Sequence, residues 1–241
     1  MNILGRLMMV SALAAVVTLT PCAVFASPWN LADDFSKGNT PESAWSYGST
    51  NTLYSTFNKF SGTAWDHENA GLKIWSSAPE VLPFVAYNPT DKPITVYNTV
   101  YMPSLAVLMH PGAAGQYAVV NWTAPAVGDY SINAVFSPLD VHGTSTDVHI
   151  FSGSTPYFNG IVHDIYGTAK VSDSQFVKYM TAGQVLSFAV GMDNKGNNED
   201  YYWDSTRLDL KITSVAPEAS SLAMLLPGLL PLGIVLKRRK K

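Results

Sequence analysis

Two stretches of the chain alternate apolar and polar residues with a period of two. Over 129–137 (DYSINAVFS), Tyr130, Ile132, Ala134 and Phe136 fall on one face, against Ser131 and Asn133 on the other. Over 207–212, Leu208, Leu210 and Ile212 oppose Arg207, Asp209 and Lys211. Successive side chains of a strand point to opposite faces, so each stretch predicts a strand with one buried and one wet face. That is the pattern of an antiparallel sheet. Further strands are predicted at 72–75, 82–87, 94–97, 105–109, 117–124, 147–151, 176–180 and 185–190. Helical periodicity is almost absent between residues 27 and 215.

Turn chemistry separates these runs. Ala114-Gly115-Gln116, Val127-Gly128-Asp129 and Ala182-Gly183-Gln184 each place a glycine, free to take positive φ, just before a strand. No helix follows any of them, so none is a phosphate-cradling loop, which needs a helix N-terminus. About ten strands punctuated in this way predict an all-β fold, a single antiparallel β-sandwich of jelly-roll type over residues 27–215.

The two ends of the 241-residue chain follow other rules. Arg6 precedes a nearly unbroken apolar run over 7–19, and Thr20 and Pro21 then break the helix before Val24-Phe25-Ala26. This is the layout of a secretory signal, with cleavage expected between Ala26 and Ser27 by a signal peptidase. The run is shorter than the roughly 20 residues that a spanning helix needs. Cys22 is the only cysteine and lies in the segment to be removed, so the mature domain is predicted to hold no disulfide and no thiolate site.

Of the 15 Lys and Arg residues, Arg6 and the five at 237–241 lie outside residues 27–215; of the 18 Asp and Glu residues, only Glu218 does. The domain therefore carries nine basic against seventeen acidic residues, a net charge of −8. Nucleic-acid phosphates demand a basic patch, and this surface disfavours them. Neutral ligands such as sugars, or cations, suit it better.

Residues 222–236 (LAMLLPGLLPLGIVL) carry no charge and end at Lys237-Arg238-Arg239-Lys240-Lys241. As a helix these fifteen residues rise only about 22 Å, against about 30 Å for a bilayer core, and Pro227 and Pro231 would kink it. The cations hold that end on the cytoplasmic side, which leaves the domain outside. Just before the run stand Pro217, Glu218 and Ala219. A Pro-Glu element, a short apolar helix and a basic end together resemble the PEP-CTERM sorting signal of Gram-negative bacteria, with Ala219 in place of the usual second proline. The resemblance covers residues 216–241. It implies processing by an exosortase, transient inner-membrane anchoring, release to the cell surface or beyond, and a setting of exopolysaccharide and biofilm. A plain C-terminal anchor would give the same topology without cleavage.

The strand and turn markers at 110–112, 120–130, 146–150 and 204–206 are similar to those of secreted modules that resemble carbohydrate-binding sandwiches. That likeness implies a polysaccharide partner. Six tryptophans supply candidate platforms, since flat aromatic faces stack on the C–H side of a pyranose. Trp45 and Trp65 lie in one aromatic-rich stretch and Tyr201-Tyr202-Trp203 form another. Three consecutive positions cannot all face inward, so one of that trio is expected at the surface; Trp75 and Trp122 continue apolar faces and are expected in the core. Asp193, Asn197, Asp200 and Asp204 gather the hard oxygens that calcium prefers, though not at EF-hand spacing, and a solvated hairpin tip has the same composition. His142, His149 and His163 mix with Asp140, Asp147 and Asp164. His149 shares a face with Asp147, which suits either a metal pair or an ordinary exposed strand face, and no His-Glu-x-x-His occurs. His110, before Pro111-Gly112, is expected in a turn.

No Gly-x-Ser-x-Gly elbow is present. The expectation is an exported, non-catalytic protein that binds or organises polysaccharide. Two other classes stay open: a small glycan hydrolase or lyase working through paired carboxylates, and a purely structural surface protein.

Overall fold

The computed structural model describes residues 28–62, 71–79, 81–167, 172–193 and 201–215. The signal segment with Ala26 and Ser27, the sorting tail with Pro217, Glu218 and Ala219, and Trp65, Asn197 and Asp200 lie outside the described residues. No described helix is long and apolar enough to cross a membrane.

Fifteen strands are described: β1 (Trp29–Asn30), β2 (Trp45–Thr50), β3 (Asn58–Lys59), β4 (Lys73–Ser76), β5 (Phe84–Tyr87), β6 (Ile94–Val96), β7 (Val100–Met102), β8 (Val107–His110), β9 (Tyr117–Thr123), β10 (Gly128–Pro138), β11 (Thr144–Ser152), β12 (Thr155–Asp164), β13 (Ser172–Met180), β14 (Val185–Met192) and β15 (Thr206–Val215). One sheet runs β13-β10-β15-β8-β5-β4, with β1 added against β15. The other runs β12-β11-β14-β9-β2-β3, and β6 and β7 form a separate hairpin. Every named pairing is antiparallel. The protein is thus an all-β, antiparallel sandwich.

The alternation read from the sequence is what joins the sheets. Tyr130, Ile132, Ala134 and Phe136 of β10 and Leu208, Leu210 and Ile212 of β15 are all buried, with exposures of 4% or less. They pack in one core with Trp45 and Tyr47 of β2, Val120 and Trp122 of β9, and Leu186, Phe188 and Val190 of β14 from the facing sheet. Gly115 and Gly183 take positive φ, 81° and 79°, as the turns there require. Gly128 does not: it opens β10 inside the ladder, paired with Met180.

A second apolar cluster lies on the other side of the first sheet. Ile74, Ala86 and Leu108 pack there with Val96, Val100 and Met102 of the β6–β7 hairpin. In β8 all four residues are buried. Val107 and Met109 belong to the inter-sheet core, and Leu108 lies under the hairpin. Both faces of β4, β5 and β8 are therefore covered, and this second layer builds the cavity described next.

Candidate functional site

Between the outer side of β4-β5-β8 and the hairpin lies a cavity of about 480 Å³. Among the described residues, its floor is aliphatic and its wall includes Phe84, Tyr97, Tyr201, Tyr202 and Trp203. A short 3-10 turn, Tyr201–Trp203, precedes β15 and carries the aromatic trio to this wall. The rings of Tyr201 and Tyr202 stack at 4.4 Å, and Tyr202 is 64% exposed. Trp203 stacks on His142 at 4.3 Å.

His142 is itself held by Asp140, which is fully buried. The Asp140 carboxylate accepts from the His142 backbone N–H at 2.8 Å, and His142 Nδ1 lies 3.3 Å from the same oxygen. Its other oxygen accepts from Thr99 Oγ1 at 3.0 Å. Thr99 closes the hairpin turn by donating its N–H to the Val96 carbonyl at 3.2 Å. One buried carboxylate thus ties both the hairpin and the aromatic wall to the body of the fold.

The hairpin turn presents Tyr97 at the cavity, 53% exposed. Tyr97 and Asn98 have φ of 52° and 57°, the pair of positive values that a type I′ turn demands. Asn adopts this region readily, but a tyrosine there is strained by about 1 kcal/mol. Tyr97→Asn is therefore expected to keep or raise thermal stability, by up to a few degrees in a melting scan, while removing a ring from the cavity mouth. A clear loss of melting temperature would show that the ring contributes more to folding than its backbone costs.

His110 ends β8 beneath this wall; it is buried, and it is not the turn residue expected. It stacks on Phe84 at 5.3 Å and its Nδ1 donates to the Pro111 carbonyl at 2.8 Å. Burial lowers its pKa from the ordinary histidine value, with hydrogen bonds to the backbone of Pro111 and Tyr202 and the charge of Asp140 opposing. Near neutral pH it is an uncharged group in an apolar wall.

The remaining sequence candidates go elsewhere. Trp45 is 2% exposed. It sits opposite Trp122 on the core side of β2, and its indole N–H donates to Asp34 Oδ2 at 3.3 Å. It is a core residue and cannot offer a face to a sugar. Trp122 is fully buried, and Trp75 packs half-buried against the same core. Asp193 and Asp204 flank Ser145: the Asp193 N–H donates to the Ser145 carbonyl at 3.1 Å, and Asp204 Oδ1 accepts the Ser145 N–H at 3.0 Å. Asp204 is buried, with one carboxylate oxygen committed to backbone. No group of three or more His, Cys, Asp or Glu residues able to hold a metal occurs among the described residues.

His149 and Asp147 do pair, on the outer side of the second sheet and away from the cavity. His149 Nε2 lies 2.8 Å from Asp147 Oδ2 and its Nδ1 lies 2.6 Å from Asn159 Oδ1. Tyr117 donates its hydroxyl to Asp147 Oδ2 at 2.7 Å. A Cβ at Gly191 would come within 2.2 Å of Tyr117 Cε1, so only glycine there lets the phenol cross β14 to reach Asp147. Burial depresses the His149 pKa, but the hydrogen bonds to Asp147 and Asn159 and the Asp147 charge outweigh it, and the net shift is upward. A raised folded-state pKa gives stability that is fully present below about pH 6.5 and is lost as pH rises through the folded value. The stability difference between the protein and a His149→Gln variant is therefore expected to shrink between pH 6 and 9. Urea titrations at each pH measure it, and a difference independent of pH would mean that the imidazolium adds nothing.

No protein-family model matches the chain, and no curated protein sequence matches it. Among solved structures, a native family 35 carbohydrate-binding module from Clostridium thermocellum is similar over 79% of this chain and 100% of its own, at 12% identity and a TM-score of 0.33. A cyclase from Fischerella sp. TAU is similar over 62% of this chain and 86% of its own, at 11% identity and a TM-score of 0.35. The CBM51 of GH95 from Clostridium perfringens, solved with methyl-galactose, is similar over 59% of this chain and 92% of its own, at 10% identity and a TM-score of 0.30. At such identities and scores none of them bears on what this chain binds.

Proposed function

We propose that the protein is an exported, non-catalytic module that binds envelope polysaccharide, seating a sugar at the mouth of the cavity on its first sheet. The observation that carries this role is the convergence of Tyr97, Tyr202 and Trp203 on one concave opening, with Tyr97 and Tyr202 more than half exposed. Exposed aromatic rings at a concavity can stack on the C–H side of a pyranose and lose little conformational freedom in doing so. The acidic domain repels polyanions such as nucleic acid and leaves neutral glycans acceptable. The secretory signal and the PEP-CTERM-like tail supply the route: signal peptidase, then exosortase, then the cell surface or matrix.

A glycan array with the full-length chain tests the role. Retention on one class of glycan is expected, together with at least a tenfold loss for Tyr202→Ala and for Trp203→Ala with folding intact by circular dichroism. Absence of retention on every glycan would overturn it.

A further inference from the structure

The cavity has two chemically different halves, and the division bears on what its sugar carries; this inference rests on the carbohydrate-binding role above. The mouth is aromatic. The floor is formed by Ile74, Ala86, Val96, Val100, Met102 and Leu108, every one of them buried. Apart from the aromatic groups, the polar lining residues among the described residues are Thr99, His110 and Ser205. Thr99 already donates its hydroxyl to Asp140, and His110 is bonded to Pro111.

A pyranose bears hydroxyls around its whole edge. Pushed over this floor, each would lose water without gaining enough partners, and an unpaired buried hydroxyl is costly. An alkyl or acyl group meets no such cost and is favoured by each methylene removed from water. A volume of about 480 Å³ is also more than one stacked ring needs, and it falls within the roughly 300–1,000 Å³ of small-molecule sites.

We propose that the ligand is an amphiphilic glycan. Its sugar ring lies on Tyr202, Trp203 and Tyr97, and an alkyl or acyl substituent on that sugar runs beneath the β6–β7 hairpin to contact Ile74, Ala86 and Met102. No bond is made or broken.

Calorimetry on the full-length chain tests this, with the methyl and n-hexyl β-glycosides of the monosaccharide that the glycan array selects, and with 1-hexanol. All are used below micelle-forming concentrations. The hexyl glycoside is expected to bind at least tenfold tighter than the methyl glycoside and at least tenfold tighter than 1-hexanol. Ala86→Leu, which fills the floor, is expected to erase the hexyl advantage. Should that variant not fold, Val96→Phe fills the same space from the hairpin side. Equal affinity for the two glycosides would overturn the amphiphilic ligand while leaving the carbohydrate role intact. Equal affinity for 1-hexanol and the hexyl glycoside would overturn the carbohydrate role itself.

Discussion

Replacing Trp45 by alanine is expected to cost about 3–5 kcal/mol of folding stability, the usual result of emptying a buried aromatic site. Trp45 is 2% exposed and packs within the inter-sheet core. It lies beside Trp122, which makes edge-on contacts with Trp29 at 5.3 Å and with Tyr130 at 4.9 Å. A cage of stiff rings collapses poorly, so the cavity left by the substitution stays open and the cost falls toward the upper end. The variant also leaves Asp34 Oδ2 without its indole donor, although part-exposed Asp34 recovers water. A loss of that size is a large share of the 5–15 kcal/mol typical of a domain. At roughly 2–4 °C per kcal/mol it lowers the melting temperature by about 6–20 °C. Glycan affinity of the fraction that remains folded should stay unchanged. A variant with normal melting and no glycan binding would make Trp45 a binding residue after all.

The contrast between Trp45 and Tyr202 shows where the sequence was legible. Period-two alternation at 129–137 and 207–212 marks the strands because each of them presents one face to the core. Three consecutive aromatics at 201–203 announced exposure, since no regular element can bury all of them, and Tyr202 is the exposed member. β2 escaped because Trp45 and Tyr47 alternate with Ser46 and Ser49 but are interrupted by buried Gly48. β12 escaped because it is an edge strand with only Val162 fully buried, so little alternation is imposed on it.

The cavity was hidden for a different reason. It depends on a hairpin folding over the outside of a sheet, a contact between segments whose local patterns do not mention each other. One trace of it is in the sequence: the unbroken apolar run Leu105–Met109, whose β8 part the structure buries through His110. Alternation gives way to a continuous apolar run when a strand is covered on both faces. Read that way, β8 predicts a second apolar layer and takes His110 out of a turn and into a wall. Tyr97 and Asp140 carried no comparable signal. The positive φ of the one and the burial of the other are consequences of tertiary structure.

Asp140→Ala is expected to affect stability and binding together, and that coupling distinguishes a positioning residue from a ligand contact. The side chain is fully buried and does not line the cavity. It acts through two others: Thr99, in the turn that carries Tyr97, and His142, on which Trp203 stacks. Hydrogen bonds to a charged group contribute about 1.5–3 kcal/mol each, and a donor stranded in a buried site costs as much again. Thr99 is only part-buried and His142 is exposed, so both recover water, and a net loss of about 2–4 kcal/mol is expected from urea titration. Hydrogen bonds from Tyr101 to Leu139, from Val141 to Thr99 and from Thr144 to the Trp203 carbonyl remain, but the turn and the Trp203 wall lose the anchor they share, and glycan affinity should fall at least tenfold. Asp140→Asn keeps the shape and one accepting oxygen, but its amide nitrogen cannot accept the second hydrogen bond. It should fall between the two on both measures. An Asp140→Asn variant with native stability and native affinity would mean that the charge of Asp140 does not organise the site, whatever the alanine variant does.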